Sequence, residues 1–125
     1  MNASAAAIRG YAEHAVTTRS DRKVEYDVIA QITHRMRDAA RSAKSRFPQF
    51  AEALYENQRL WTALAVDLAD PKNELPNELK ARLLYLAEFT RQHTHRILSE
   101  HASVMPLLEI NVAVMRGLKS EGSAS

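Results

Sequence analysis

Five histidines and fifteen carboxylates are the residues of this chain best equipped for chemistry, and their spacing decides what they can do. His93 and His95 form an H-x-H pair. Residues two apart on a helix point to nearly opposite sides, so this pair cannot close on one metal ion. His14, His34 and His101 stand at no ligand spacing and read as surface or rim residues. His93 lies at the edge of an apolar stripe and is expected to be half-buried. Asp67 and Asp70 are one turn apart near a helix end. General acid–base work needs such a pair beside a pocket and a reacting group, and nothing nearby supplies either, so they read as loop-solvating carboxylates.

Nucleophilic chemistry finds no better footing. Serines gather at helix caps and in the last residues, with no G-x-S-x-G and no phosphate-cradling glycine loop. Cysteine is absent, which excludes disulfides, thiolate zinc sites, iron–sulfur clusters and a cysteine nucleophile. The chain therefore reads as a binding protein: not an enzyme, with no cofactor, no metal and no small-molecule substrate.

The elements that would position any of these residues are helices. The chain has 125 residues and three glycines, with alanine, leucine, arginine and glutamate prominent. Those side chains lose little freedom in a helix. No strand-like alternation is visible. The length suits one domain of ordinary size. The first residues lack an apolar run behind a basic start, so no secretory signal is expected. No apolar run is long enough to cross a membrane, and a cytoplasmic location is expected.

Five segments are expected. The first, 4–15, is short, with Ile8, Tyr11 and Ala15 on one face and Gly10 weakening it; Thr17, Thr18 and Ser20 then offer caps. The second, 21–44, places Val28, Ile29, Ile32, Met36, Ala39 and Ala43 on one side. Pro48 ends or follows it. The third, 49–69, carries Phe50, Leu54, Trp61, Ala65 and Leu68, and its second half is apolar all round through Leu60, Ala63, Leu64 and Val66. Such a stretch must be central in a core or covered by a partner.

Asp70-Pro71 stops that helix, and Asn73 with two prolines makes the following turn. The fourth, 77–102, aligns Leu79, Leu83, Leu86, Thr90 and Ile97, leaving Leu84, Tyr85 and Phe89 off the stripe. The fifth starts at Ser103 as N-cap, takes Pro106 in its first turn and stops before Gly117. Short connections favour a compact, mostly antiparallel bundle of about five helices, all-α, spanning 1–118, with 119–125 a disordered tail.

Charge divides the chain. Residues 1–46 hold nine Lys/Arg against five Asp/Glu, and residues 47–125 hold eight against ten. The basic part reads first as a solvated helix face and second as a nucleic-acid contact. The aromatics Phe50, Tyr55, Trp61, Tyr85 and Phe89 suit either a core or an interface hot spot. Asn111, in an apolar helix, either bridges internally or reads a partner's backbone.

Two stretches carry a family resemblance. The run Asn57-Gln58-Arg59-Leu60-Trp61 through Asp67-Leu68 to Asn73-Glu74-Leu75-Pro76 resembles the N-x-x-L-W…D-L…N-x-L-P core of the FlaF family. The closing Pro106-Leu107…Asn111…Met115-Arg116-Gly117-Leu118 resembles that family's P-L-x-x-x-N…M-x-G-L ending. The resemblance implies a flagellar biosynthesis regulator in the cytoplasm. It would bind flagellin before secretion, support flagellin synthesis and export, and work alongside FlbT, the repressor of flagellin translation. The family has no catalytic residues to carry over.

A compatible mechanism follows from the residues. Flagellin termini are amphipathic helices, and a bundle with surplus apolar surface can cover one by helix-in-groove docking. The expected partner-binding residues are Leu84, Tyr85, Phe89, Leu108, Asn111 and Met115, with Leu60 and Val66 a further source of surface. The alternative is an RNA-linked regulator or an adaptor holding FlbT. In the RNA reading Arg35, Arg37, Arg41 and Lys44 would contact flagellin messenger RNA. Asp21, Asp27 and Asp38 interrupt that basic face and no aromatic stacks among the arginines, so nucleic acid ranks below flagellin.

Overall fold

The computed structural model describes the backbone of residues 19–124 and the side chains of residue 23 and residues 25–118. The expected first segment, 4–15, and the caps Thr17 and Thr18 lie outside the described residues. The other four expected helices are all present: α1 (Arg19–Arg41), α2 (Phe47–Ala69), α3 (Asn77–Glu100) and α4 (Met105–Ala124). No strand occurs among the described residues.

α1 is helical from Arg19, the first described residue, so the backbone of Ser20 lies within the helix and not at its N-cap position. The helix turns Ile29, Ile32 and Met36 inward, as their spacing requires. It gives way at Arg41 to tight turn bonds, Ser45 N–H and Arg46 N–H both donating to Ser42 O at 3.2 and 2.8 Å. Pro48 then opens α2 within its first two positions, where a missing N–H leaves no bond unmade. The basic turn between the helices therefore ends at a proline that starts a helix.

α2 packs against α1 on one side and α3 on the other, and α4 lies against α1. α3 and α4 meet only slightly. The apolar girth of α2 is explained by this middle position: Phe50, Leu54, Leu60, Trp61, Ala63 and Leu68 are all buried. Val66 is the exception and stays exposed.

Two clusters make the core. Met36, Phe50, Leu54, Ile97, Leu107 and Leu108 join all four helices at one end. Ile29, Ile32, Leu60 and Trp61 form the other, with Leu86, Val114 and Met115 half-buried against them. Of the residues placed on the apolar stripes of α1, α2 and α3, Val28, Ala39, Ala43, Ala65, Leu79, Leu83 and Leu86 are half-buried and the rest are buried.

The turns follow the expected chemistry. Asp70 Oδ1 accepts from Lys72 N–H at 2.8 Å, and Asn73 Oδ1 accepts from Leu75 N–H at 3.0 Å. Asn73 Nδ2 reaches back to the Asp67 carbonyl at 3.1 Å, tying the turn to the end of α2. Ser103 Oγ accepts the Met105 N–H at 3.1 Å just ahead of α4, whose first bonds go to the Val104 carbonyl, so the N-cap falls one residue later than expected. The far end of α4 departs from expectation. Gly117 does not stop it, and residues 119–124, expected as a disordered tail, are its last turns. α3 ends at Glu100, followed by His101 at φ 57°, a left-handed cap position that usually takes glycine.

Candidate functional site

α3 is covered along only half its length. Its buried residues are Thr90, His93, Thr94 and Ile97, all in the second half. The first half holds Leu79, Leu83, Leu84, Tyr85, Leu86 and Phe89, and none of them is buried. Tyr85 is 68% exposed and Leu84 36% exposed. Three successive turns of apolar side chains thus stand half or fully in solvent on one helix. The cause is packing: α3 leans on α2 and has little contact with α4.

Phe89 is not a free anchor. It is half-buried and stacks on the His93 ring, centroids 5.4 Å apart at 8°. His93 itself is buried, deeper than expected, and its Nε2–H donates to the Ser103 carbonyl at 2.7 Å. That bond pins α3 to the turn leading into α4. Beside the exposed stretch, Glu88 accepts from Arg91 and Gln92 at 2.6 and 3.1 Å. The Arg91 hydrogen bond, more than the Gln92 one, holds the Glu88 carboxyl below its usual range.

The sequence placed three further partner residues on α4, and the structure corrects two of them. Leu108 is 8% exposed and belongs to the core cluster with Met36 and Phe50. Asn111 is 1% exposed. Its Oδ1 accepts from Trp61 Nε1 at 2.9 Å, and its Nδ2 donates to Asn57 Oδ1 at 2.8 Å and to Thr33 Oγ1 at 3.0 Å. Asn111 therefore bridges α1, α2 and α4 with both amide hydrogens committed, and its burial takes it off the surface. Met115 is half-buried against the Ile29–Trp61 cluster. Leu60 is buried too, while Val66 remains exposed. Of the residues expected at a partner surface, Leu84, Tyr85 and Val66 are exposed and Phe89 is half-buried.

The residues named for RNA contact are mostly engaged with carboxylates. Arg35 pairs with Glu56, its Nε donating at 2.9 Å. Arg37 and Arg41 both lie near Asp38, at 4.0 and 3.9 Å. Lys44 is exposed in the turn after α1. Two carboxylates, Glu56 and Asp38, thus stand among four cations, so the face is partly compensated and interrupted rather than a continuous basic stripe. Among the described residues no three histidines or carboxylates gather as metal ligands, and no helix is long and apolar enough to cross a membrane.

Two buried polar residues of α1 escaped the sequence reading, and a third was expected only as part of a stripe. Glu25 is 3% exposed, and burial, with the Asp67 charge adding, pushes its carboxyl up to about 8. Thr33 is 6% exposed and donates to the Ile29 carbonyl at 2.7 Å. Thr90, placed on the α3 stripe, is buried with its Oγ1 lacking a partner. The spacing Glu25–Ile29–Thr33 runs i, i+4 along the apolar side of α1, and that was the available signal.

The geometry assigns the characteristic residues a structural meaning. Asn57, Trp61 and Asn111 are one hydrogen-bonded cluster, and Asn73 holds the α2–α3 turn to Asp67. A family model for the flagellar protein FlaF matches residues 7–118. No curated protein and no solved structure matches the chain. The matched span includes every residue of that cluster and of that turn, and the chain belongs to the FlaF family of flagellar proteins.

Proposed function

We propose that this protein binds monomeric flagellin in the cytoplasm, holds it soluble for export and so supports flagellin synthesis and secretion, without chemistry of its own. The observation that carries this reading is the uncovered first half of α3, where Leu84 and Tyr85 stand exposed on a helix otherwise built for a core. A soluble chain rarely keeps such surface without a partner. A flagellin terminus, as an unassembled amphipathic helix, has the complementary need, and two apolar stripes laid together remove both from water. Family membership makes a flagellar client the natural one.

The interface would be of standard size, roughly 1,200–2,000 Å² in total, with a few aromatic or aliphatic anchors dominating. Calorimetric titration of the purified protein into monomeric flagellin tests it. Saturable one-to-one binding at micromolar concentration is expected. Absence of heat and of co-elution at tens of micromolar overturns the reading. The RNA alternative ranks lower, because Glu56 and Asp38 interrupt the basic face at Arg35, Arg37 and Arg41.

A further inference from the structure

Two apolar stripes fade at the same end of the bundle. One side of α3 runs Leu79, Leu83, Leu86, Thr90, Thr94 and Ile97 at helical spacing. The last three are buried, and Leu79, Leu83 and Leu86 are only half-buried. α4 repeats the pattern: Leu107, Leu108 and Asn111 are buried, whereas Val114, Met115 and Leu118 on the same side are half-buried. Leu86, Val114, Met115 and Leu118 all pack against the Ile29–Trp61 cluster, so the two fading stripes flank one floor. α3 and α4 are tied at their turn, where His93 donates to the Ser103 carbonyl, and have little other contact. A seam is thus left between them at the end away from that turn.

The position of α1 indicates what belongs there. Arg35 pairs with Glu56, and Glu25 lies under the charge of Asp67, so α1 runs antiparallel to α2. Met36 shares a cluster with Leu107 and Leu108, and Thr33 meets Asn111, so the later residues of α4 go with the earlier residues of α1. The start of α1 therefore lies at the open end. The eighteen residues before Arg19 enter the fold at that point. Within them, residues 4–15 put Ile8, Tyr11 and Ala15 on one helical side and Arg9 and Glu13 on the other. Twelve helical residues span roughly 18 Å, as does the stretch of α3 from Leu79 to Thr90. The match to the FlaF family begins at residue 7, so most of this segment belongs to the family's unit.

We propose that residues 4–15 form a helix that docks into the open seam between α3 and α4, placing Ala15 near Leu79, Tyr11 near Leu83 and Ile8 near Leu86. A segment that turns back ahead of α1 runs antiparallel to α1 and so to α3, and the matching intervals along the two stripes set this register. The docked segment completes the core at the open end and reserves Leu79, Leu83 and Leu86 for the fold. Leu84 and Tyr85 stand off that side of α3, exposed, and stay available to a partner.

The chain has no cysteine, so one engineered pair reports proximity in the full-length protein. Tyr11→Cys with Leu83→Cys is expected to close a disulfide within the monomer under mild oxidation. Ala15→Cys with Leu79→Cys tests the same register should the first pair disturb folding. Tyr11→Cys with Glu52→Cys, an exposed position toward the opposite end of α2, is the control. Bridging needs Cβ atoms within about 4.5 Å, so the register pairs should close roughly tenfold faster than the control or more. Ile8→Asp should lower the melting temperature by roughly 4 °C or more, because it buries a charge in the seam. Closure of both register pairs no faster than the control, in chains whose circular dichroism matches the wild type, overturns the docking. An unchanged melting temperature for Ile8→Asp overturns it as well.

Discussion

The indole Nε1 of Trp61 donates to Oδ1 of Asn111 at 2.9 Å, across 50 residues of sequence and between two different helices. Asn111 in turn holds Asn57 and Thr33, so one amide fixes the register of α1, α2 and α4 together. Apolar contacts tolerate sliding, whereas a buried hydrogen-bonded amide is satisfied in one arrangement only.

Asn111→Ala is therefore expected to destabilise the protein by about 2–4 kcal/mol, because it strands the Trp61 N–H and the Asn57 carbonyl in the core. Trp61→Phe should cost less, since it removes one donor and keeps most of the ring. Urea unfolding curves of both variants check the order. An Asn111→Ala midpoint equal to wild type would show that the network carries no stability.

Glu25 makes stability depend on pH in an uncommon direction. Its carboxyl is raised from 4.5 to about 8 in the folded protein, first by burial and then by the Asp67 charge. The folded state thus binds the proton more tightly than the unfolded chain. Between these two values the native state carries more protons, so stability falls as pH rises from about 4.5 to 8. Below that window the contribution is fully present; above it, it is lost. A shift of this size corresponds to a few kcal/mol. Glu25→Gln keeps the shape without the charge and should flatten the pH profile, raising the melting temperature at pH 8.5 relative to wild type. Parallel melting profiles from pH 5 to 8.5 would contradict this.

Two backbone positions offer stabilisation without touching the core. Gly117 lies inside α4 with no atom near a would-be Cβ. Gly117→Ala should stabilise by about 0.5–1 kcal/mol, since alanine loses less freedom in a helix. His101 occupies a left-handed conformation at φ 57° and is exposed. His101→Gly should gain up to about 1 kcal/mol by relieving its Cβ. Thermal unfolding reads both, and a lowered melting temperature for either would contradict the local account.

Tyr85 and Phe89 should separate binding from folding. Tyr85 is 68% exposed, so Tyr85→Ala is expected to shift the melting temperature within about 1 kcal/mol of stability while weakening flagellin binding about tenfold. Phe89 stacks on His93, which anchors the α3–α4 turn. Phe89→Ala should chiefly lower the melting temperature. The reverse pattern would place the interface elsewhere.

The helices were legible because their signals are local. The i, i+3, i+7 stripe of Ile29, Ile32 and Met36 marks a buried side whatever it packs against, and Ser103, Asn73 and Asp70 act on backbone groups within two residues. The sites were less legible. Leu84 and Leu108 are the same residue type on neighbouring helices, yet one is 36% exposed and the other 8%.

Sequence alone determined the class of fold, four of the helices, their turns and the family, because periodicity, capping and motif are properties of short stretches. It could not assign Asn111 to Trp61 or separate partner surface from core. Those outcomes depend on which helices become neighbours. α4 lies along α1 and scarcely meets α3, so the apolar side of α4 is consumed inside while the first half of α3 is left in water. Burial is a relation between elements distant in the chain, and only the packed arrangement of the helices decides it.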